Sequence, residues 1–126
     1  MTDPPPTLDP FAAEVRRVEK PWGYEIVFAL TDRYCGKVIF VRAGEQLSLQ
    51  FHERKDETIY LQSGRIELEI AGAVEIAHPG ASFRLVPGVV HRWRALEDSL
   101  VLEVSTPELD DVVRLEDRYG RADRER

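Results

Sequence analysis

Residues 44–64, GEQLSLQFHERKDETIYLQSG, combine alternating, strand-like patterns with polar side chains at short, regular spacings. Gln50 and His52 are two positions apart in one alternating run, so both side chains point to the same face of the predicted strand. Glu57 opens the next alternating run and can return to that face across a short turn. The spacing therefore predicts three ligands of one metal ion.

A fourth candidate ligand, His91, follows the turn residues 87–90 and opens another predicted strand. The chain has three histidines, and only His78, which precedes a proline in a predicted exposed turn, lies outside these positions. Polar side chains inside a small barrel need partners, because an unsatisfied buried group costs about 1–3 kcal/mol. A shared divalent ion would supply them; the alternative is four unrelated polar residues in a β-domain. Imidazole, amide and carboxylate donors suit Zn, Mn, Ni, Co or Fe without selecting among them.

The composition restricts the class of protein. The 126 residues suffice for one domain, and the net charge of −6 with no basic stripe argues against nucleic acid as a partner. The single cysteine, Cys35, cannot form an internal disulfide, and the acidic, proline-rich start MTDPPPTLDP is not typical of a signal peptide. Because no apolar run approaches the roughly 20 residues of a membrane span, we predict a soluble cytoplasmic protein.

Short alternating runs separated by turn signals extend through most of the chain and predict about eight to ten strands. Such spacing in one small domain indicates an all-β, antiparallel jelly-roll barrel, with polar residues converging at its mouth. Prolines in the first ten residues predict a flexible arm over residues 1–13. The barrel domain is predicted to span residues 14–126 and to end in a short helix, residues 110–121, which Gly120 stops.

The order of these residues resembles the two motifs of the cupin superfamily. The chain reads G-x5-Q-x-H-x4-E-x6-G and then G-x5-V-P-G-x2-H. The superfamily motifs read G-x5-H-x-H-x3/4-E-x6-G and G-x5-P-x-G-x2-H-x3-N. Val86 and Ala95 stand where the second motif has its first proline and its asparagine. The resemblance implies a double-stranded β-helix, which is a jelly-roll barrel, with one metal site at its mouth.

Three further segments are similar to the C-terminal domain of type II mannose-6-phosphate isomerases: KPWGYE at 20–25, Lys37 with LSLQ at 47–50, and DDVVRLEDRYGR at 110–121. That family's pattern runs R-P-W-G, then K-x-I-x-V-x-P-G-x3-L-S-L-Q-x-H-H-H-R-x-E-H-W, then H-R and R-x-E-D-x-Y-G-R. Residues 52–59, HERKDETI, lack the histidine pair, the arginine and the histidine after the glutamate. The nucleotidyltransferase domain of these enzymes has no counterpart in the sequence.

The resemblance implies aldose–ketose isomerisation through an enediol, in which a metal polarises the carbonyl and a base moves a proton between C1 and C2. Lys37 shares a face with Ile39 and is a candidate acid/base, or a partner of the substrate phosphate, inside the barrel. The alternative is a strand-end lysine paired with Glu25 or Glu103. Glu103, in an alternating run, is the second candidate base, or an outward solvated residue.

Two other functions remain open at this point. The first is another metal-dependent cupin enzyme (an epimerase, lyase or dioxygenase), and the second is a non-catalytic cupin that binds a sugar or metabolite. In each case the predicted partner is a small molecule, with a sugar or sugar phosphate as the favoured class. Apolar residues on both strand faces also predict a homodimer, because one sheet needs cover.

Overall fold

Alternation of inward and outward side chains organises residues 3–123, the part of the chain that this computed structural model describes, into two antiparallel sheets. The strands are β1 Arg16–Lys20, β2 Gly23–Leu30, β3 Cys35–Val41, β4 Leu49–Phe51, β5 Glu57–Ser63, β6 Ile66–Ile70, β7 Ala73–Ala77, β8 Ser82–Leu85, β9 His91–Ala95, β10 Ser99–Ser105 and β11 Val113–Glu116. The six-stranded sheet has the order β1-β2-β3-β10-β5-β8, and the five-stranded sheet has the order β11-β4-β9-β6-β7. The predicted all-β jelly-roll barrel is confirmed.

Inward side chains of the two sheets meet in a single apolar cluster. Trp93 in β9 lies in register beside Leu68 in β6, and both are almost fully buried. Burial of one such side chain contributes about 1.5–3 kcal/mol, so the cluster is the main source of stability. Its buried members are Trp22, Ile39, Val41, Ile59, Leu61, Ile66, Leu68, Ala77, Leu85, Trp93, Ala95 and Val101.

Two glycines allow the backbone to approach its neighbours closely. A Cβ atom at Gly23 would lie 2.0 Å from the carbonyl oxygen of Phe40. Gly64 has a φ of +92°, and a Cβ atom there would lie 2.3 Å from Ser99 Oγ. Larger side chains at either position would force the neighbouring segments apart, so both positions depend on glycine.

The predicted C-terminal helix is wrong. Residues 113–116 form β11, which pairs with β4 through Val113 opposite Phe51 and Arg114 opposite Gln50. An isolated helix of this length is marginal, whereas pairing with β4 satisfies backbone groups on both strands and buries Val113. Tertiary pairing therefore overrides the local helical pattern.

The segment before β1, residues 3–15, is exposed and contains a single turn of 3-10 helix, Asp9–Phe11. Flexibility of the arm, residues 1–13, and a domain boundary at residue 14 stay predictions. Residues 1–2 and 124–126, at the ends of the two predicted ranges, lie outside the described residues. Across residues 3–123 no helix has the length and apolar character required to cross a membrane.

Candidate metal centre

Three of the four predicted ligands converge at the barrel mouth. Glu57 opens β5, His52 follows β4 and His91 opens β9. The Nε2 atoms of His52 and His91 lie 3.1 and 3.3 Å from the same oxygen, Glu57 Oε1. All three side chains are buried, and their potential ligand atoms lie within 4.8 Å of one another. This cluster has the composition and spacing to hold a metal ion.

The backbone fixes the orientation of both imidazole rings. His52 Nδ1 lies 2.6 Å from the carbonyl oxygen of Asp111, and His91 Nδ1 lies 2.9 Å from that of Val89. A carbonyl oxygen only accepts hydrogen bonds, so we assign the proton of each neutral ring to Nδ1. Each Nε2 lone pair then faces the Glu57 carboxylate, and two acceptors in contact require a cation or a proton between them. Metal-ligating histidines are commonly held in this way.

The electrostatics of the cluster keep Glu57 charged. Burial favours the neutral carboxyl, but hydrogen bonding with the His52 and His91 rings and the charge of Lys55 outweigh burial and lower the pKa of Glu57. Burial also opposes protonation of His52, but the hydrogen bond and charge of Glu57 outweigh it and raise the pKa of His52. A buried carboxylate therefore draws positive charge into the site, either as protons or as a metal ion.

Gln50 lies beside the cluster without joining it directly. It is in register with His91 across β4 and β9, so it occupies the same face. Its side-chain oxygen accepts a 2.6 Å hydrogen bond from the buried Ser48 hydroxyl, and the residue is only partly buried. Ligation by Gln50, like the ligand roles of the other three residues, stays a prediction.

Lys55 is a buried cation that the sequence analysis did not single out. Its Nζ lies 3.2 Å from Glu57 Oε2 and 3.0 Å from Glu103 Oε2, and only 4% of the residue is exposed. Burial opposes its charge, but Glu103 and Glu57 outweigh burial and raise the pKa of Lys55. Lys55 stands at the arginine position of the H-H-H-R-x-E-H-W pattern, so the positive charge is retained. Alignment of that one position was the signal that could have found it.

Glu103 faces the interior of the barrel. It lies in β10, in register with Lys37 and Ile59 on the two neighbouring strands. Burial, followed by the negative charge of Glu57, raises the pKa of Glu103 to about 7. The outward, solvated alternative for Glu103 is therefore wrong, because the side chain is buried.

Lys37 also points inward, and it is paired. Its Nζ donates a 3.3 Å hydrogen bond to Glu25 Oε2, and both side chains are largely buried. The predicted pairing with Glu25 is therefore observed, one strand away from Glu103. A role of either Lys37 or Glu103 in proton transfer stays a prediction.

Asp111 connects the C-terminal loop to the cluster. Its carboxylate accepts hydrogen bonds from the backbone N–H groups of Glu53, Arg54 and Lys55 at 3.0, 2.7 and 2.8 Å, while its carbonyl oxygen holds His52. Burial alone would raise the pKa of Asp111, but the three backbone N–H groups outweigh burial and lower it. No local pattern in the sequence points to this residue, because its contacts are 56–59 positions away.

The comparison with known proteins agrees with this geometry. The family model described as the cupin domain matches residues 37–106, which contain all four predicted ligands. The chain belongs to the cupin family. The similarity predicted from the motifs, including that to the C-terminal domain of type II mannose-6-phosphate isomerases, is confirmed.

Its sequence relatives are larger proteins. The cupin is 35% identical over 111 residues to mannose-1-phosphate guanylyltransferase ManC of Salmonella typhimurium, covering 84% of this chain and 23% of that protein. It is 34% identical over 111 residues to the xanthan biosynthesis protein XanB of Xanthomonas campestris, covering 84% of this chain and 24% of that protein. The chain thus spans about a quarter of the length of these relatives.

Solved cupin structures share the fold. KdgF from Halomonas sp. superposes with a TM-score of 0.69 and 28% identity, covering 77% of this cupin and 88% of that chain. The Streptomyces protein PAC13, solved as a variant with uridine, superposes with a TM-score of 0.69 and 18% identity, covering 92% of this cupin and 93% of that chain. The second likeness, at low identity, concerns the fold alone.

Proposed function

We propose that this cupin is a metal-dependent sugar-phosphate isomerase of the mannose-6-phosphate type. The observation that carries the proposal is the position of Glu103, a buried carboxyl that shares the Lys55 ammonium with Glu57 of the His52–Glu57–His91 cluster. Relatives named for mannose 1-phosphate support a phosphorylated sugar as the substrate class.

The donor set fits a divalent metal. His52 and His91 would offer Nε2, Glu57 would offer a carboxylate oxygen, and Gln50 is the proposed fourth ligand. When bound, the metal would act as a Lewis acid that polarises a carbonyl and its neighbouring hydroxyl. Zn, Mn, Ni, Co and Fe all accept this combination of nitrogen and oxygen donors.

Proton movement is assigned to this chain's own carboxyl and amine groups. A general acid/base works best when its pKa lies near the working pH, and Glu103, with a pKa of about 7, meets that condition. It would accept a proton from one sugar carbon and return it to the next. Lys55, whose Nζ lies 3.0 Å from Glu103 Oε2, would stabilise the ionised form that accepts the proton in the first transfer and is restored by the second. Lys37 is the alternative proton carrier, once it is released from Glu25.

One observation favours a second candidate, a cupin that binds a sugar or metabolite without turnover. Thr58 stands where the isomerase pattern has the histidine after the glutamate. For such a binding protein, the pairs formed by Lys55 and Lys37 would only neutralise buried charge. Another metal-dependent cupin activity, as an epimerase, lyase or dioxygenase, would use the same ligands on a different small molecule.

The deciding experiment is an isomerase assay of metal-loaded protein on a panel of sugar phosphates. Removal of a general acid/base typically lowers the rate by about 10²- to 10⁴-fold. We therefore expect Glu103→Gln or Lys37→Met to lose turnover by that order while elemental analysis shows unchanged metal content. Glu75→Gln, in the exposed strand β7, is the matched control. Absence of wild-type turnover on every sugar phosphate would reject the isomerase and favour the binding protein.

We also propose that the protein is a homodimer formed through the outer face of the six-stranded sheet. Ile26, Val38, Leu102 and Tyr60 lie in register across β2, β3, β10 and β5 and form this outer apolar face. An apolar row of this kind on a sheet surface is typical of an interface, and closed two-fold dimers are the commonest assembly. Light scattering at micromolar concentration should give twice the mass of the chain, and Leu102→Asp should give the monomer. A monomer mass for the wild type would contradict the proposal.

A further inference from the structure

The edge of the barrel between β1 and β11 carries cations that the metal cluster does not use. Lys20 ends β1, and Arg114 lies in β11. The charges of Lys37, Arg114 and Arg121 all act on Lys20. Four cations thus lie close together in a chain whose net charge is −6.

Two of these four cations are neutralised by neighbours. Lys37 is paired with Glu25, and Arg121 makes both side-chain and backbone hydrogen bonds to Asp117. Within residues 3–123, Lys20 makes no side-chain hydrogen bond or close ion pair. In the part of the chain that the structure describes, neither Lys20 nor Arg114 forms a close side-chain ion pair, although the charges of Glu25, Asp117 and Asp123 act on one or both of them.

Arg114 has a buried donor without a partner. Its Nε is buried and makes no hydrogen bond within residues 3–123. Asp123, the nearest carboxylate in sequence that contacts it, accepts the backbone N–H of Arg114 at 2.9 Å instead. An unsatisfied buried donor costs about 1–3 kcal/mol, and more when it is charged, so an anion at this position would satisfy it.

Strand register connects Arg114 to the metal cluster. Gln50 pairs with His91 on one side and with Arg114 on the other, so the three residues form one row on the same face of the five-stranded sheet. Neighbouring strands are about 4.8 Å apart, which places the Arg114 backbone roughly 10 Å from that of His91. This span suits an extended sugar phosphate with its reacting carbons at the metal.

A cavity lies between β1, β2, β3 and the loop residues 109–110 that precede β11. It has a volume of about 170 Å³, and its walls include Lys20, Glu25, Lys37 and Asp110. Arg114 does not line this cavity, but its charge interacts with those of Lys20 and Glu25, which do. Burial lowers the pKa of Lys20; the charge of Glu25 opposes this effect, and the neighbouring cations add to it. A bound anion would relieve this repulsion.

We propose that Lys20 and Arg114 form an anion subsite that binds the phosphate group of the substrate. Arginine presents two parallel N–H donors to phosphate, and lysine adds a point charge, which together favour phosphorylated over unphosphorylated sugars. The assignment to a sugar phosphate rests on the proposed function, whereas binding of the anion itself does not.

Binding of inorganic phosphate to the metal-free protein, measured by calorimetry, tests the subsite directly. Loss of a hydrogen bond to a charged group corresponds to about a tenfold or larger loss of affinity. Arg114→Gln and Lys20→Gln should each weaken binding by at least that factor, and Arg114→Lys should restore part of it. Arg65→Gln removes the same charge from an exposed turn outside this edge and should leave affinity unchanged. Circular dichroism of each variant identifies any that does not fold.

The outcomes separate the subsite from the isomerase. Phosphate binding that depends on Lys20 and Arg114, without turnover of any sugar phosphate, supports the subsite and rejects the isomerase. Turnover of mannose 6-phosphate with an unchanged KM in Arg114→Gln and Lys20→Gln supports the isomerase and contradicts the subsite. Absence of saturable phosphate binding, or equal weakening by Arg65→Gln, also overturns it.

Discussion

The two ends of the barrel interior are formed by the same strands, but one end is lined by ionisable side chains and the other by apolar ones. Inward positions recur every second residue, and along four strands they change from ionisable at the mouth to apolar at the far end. The change requires only a step of two residues, so a single strand supplies both a site residue and a core residue. The series are Lys37, Ile39 and Val41 in β3; Glu57, Ile59 and Leu61 in β5; His91, Trp93 and Ala95 in β9; and Glu103 and Val101 in β10.

The difference shows how the protein can bury charge and still fold. At the far end, burial is favourable for the apolar side chains, and the one buried hydroxyl that adjoins them, Ser99 Oγ, is satisfied because it donates to the Glu97 carbonyl and accepts from the Arg65 N–H. At the mouth, burial of Glu57, Glu103, Lys55 and two imidazoles is tolerated only because each charge contacts an opposite one. The far end therefore stabilises the fold, and the mouth depends on that stability.

The largest effect on stability is expected at the far end. Leu68→Ala should lower the free energy of unfolding by about 2–5 kcal/mol, because it leaves a cavity in the core. Urea denaturation measures the loss, and the folded variant should still bind one metal ion. The control is Ile76→Ala on the half-exposed face of β7, which should change stability much less. Equal losses of stability at the two positions would contradict the assignment of Leu68 to the core and of Ile76 to the surface.

Metal binding at the mouth of the barrel should stabilise the folded protein. At a free metal concentration 100 times the Kd, binding should raise the free energy of unfolding by about 2.7 kcal/mol. His91→Ala should lose most of the bound metal and this stabilisation, whereas His78→Ala, at an exposed turn, should keep both. Wild-type protein that remains metal-free after incubation with Zn, Mn, Ni and Fe would show that the buried charges only neutralise one another.

A smaller effect is expected at the residue that holds the His52 segment in place. Asp111→Ala removes the acceptor of three backbone N–H groups and loosens the segment that carries His52, so metal affinity should fall by about 10- to 100-fold. Competition with a chelator measures this affinity, and Asp110→Ala is the control at the neighbouring exposed position. An unchanged affinity for Asp111→Ala would mean that the carboxylate of Asp111 is not needed to position His52.

The site was predictable where its geometry is local. The two-residue spacing of Gln50 and His52, together with the motif around His91, was sufficient to place them on one face, because a strand has a fixed period. The pairing partner of Lys37 remained open, since both Glu25 and Glu103 lay on strands that could neighbour it.

The features that could not be predicted depend on contacts between residues that are far apart in the sequence. Lys55 lies in a polar segment, HERKDE, that is typical of a solvated turn, and only the three-dimensional structure places it between two buried carboxylates. The segment 113–116 has a local helical pattern, and its pairing with β4 could not be derived from its own residues. Periodicity gives the face of a side chain but not the partner across the barrel.

The hydrogen bond from His52 to the Asp111 carbonyl has a consequence for the order of events during synthesis. The two residues are 59 positions apart, and Asp111 emerges from the ribosome after His52, Glu57 and His91. A nascent chain that ends at residue 106, the last residue of the cupin match, contains the candidate ligands, but the carbonyl that orients His52 is not yet present. The final orientation of the His52 ring is therefore reached only after Asp111 has been made, and the proposed metal site is complete only at that stage.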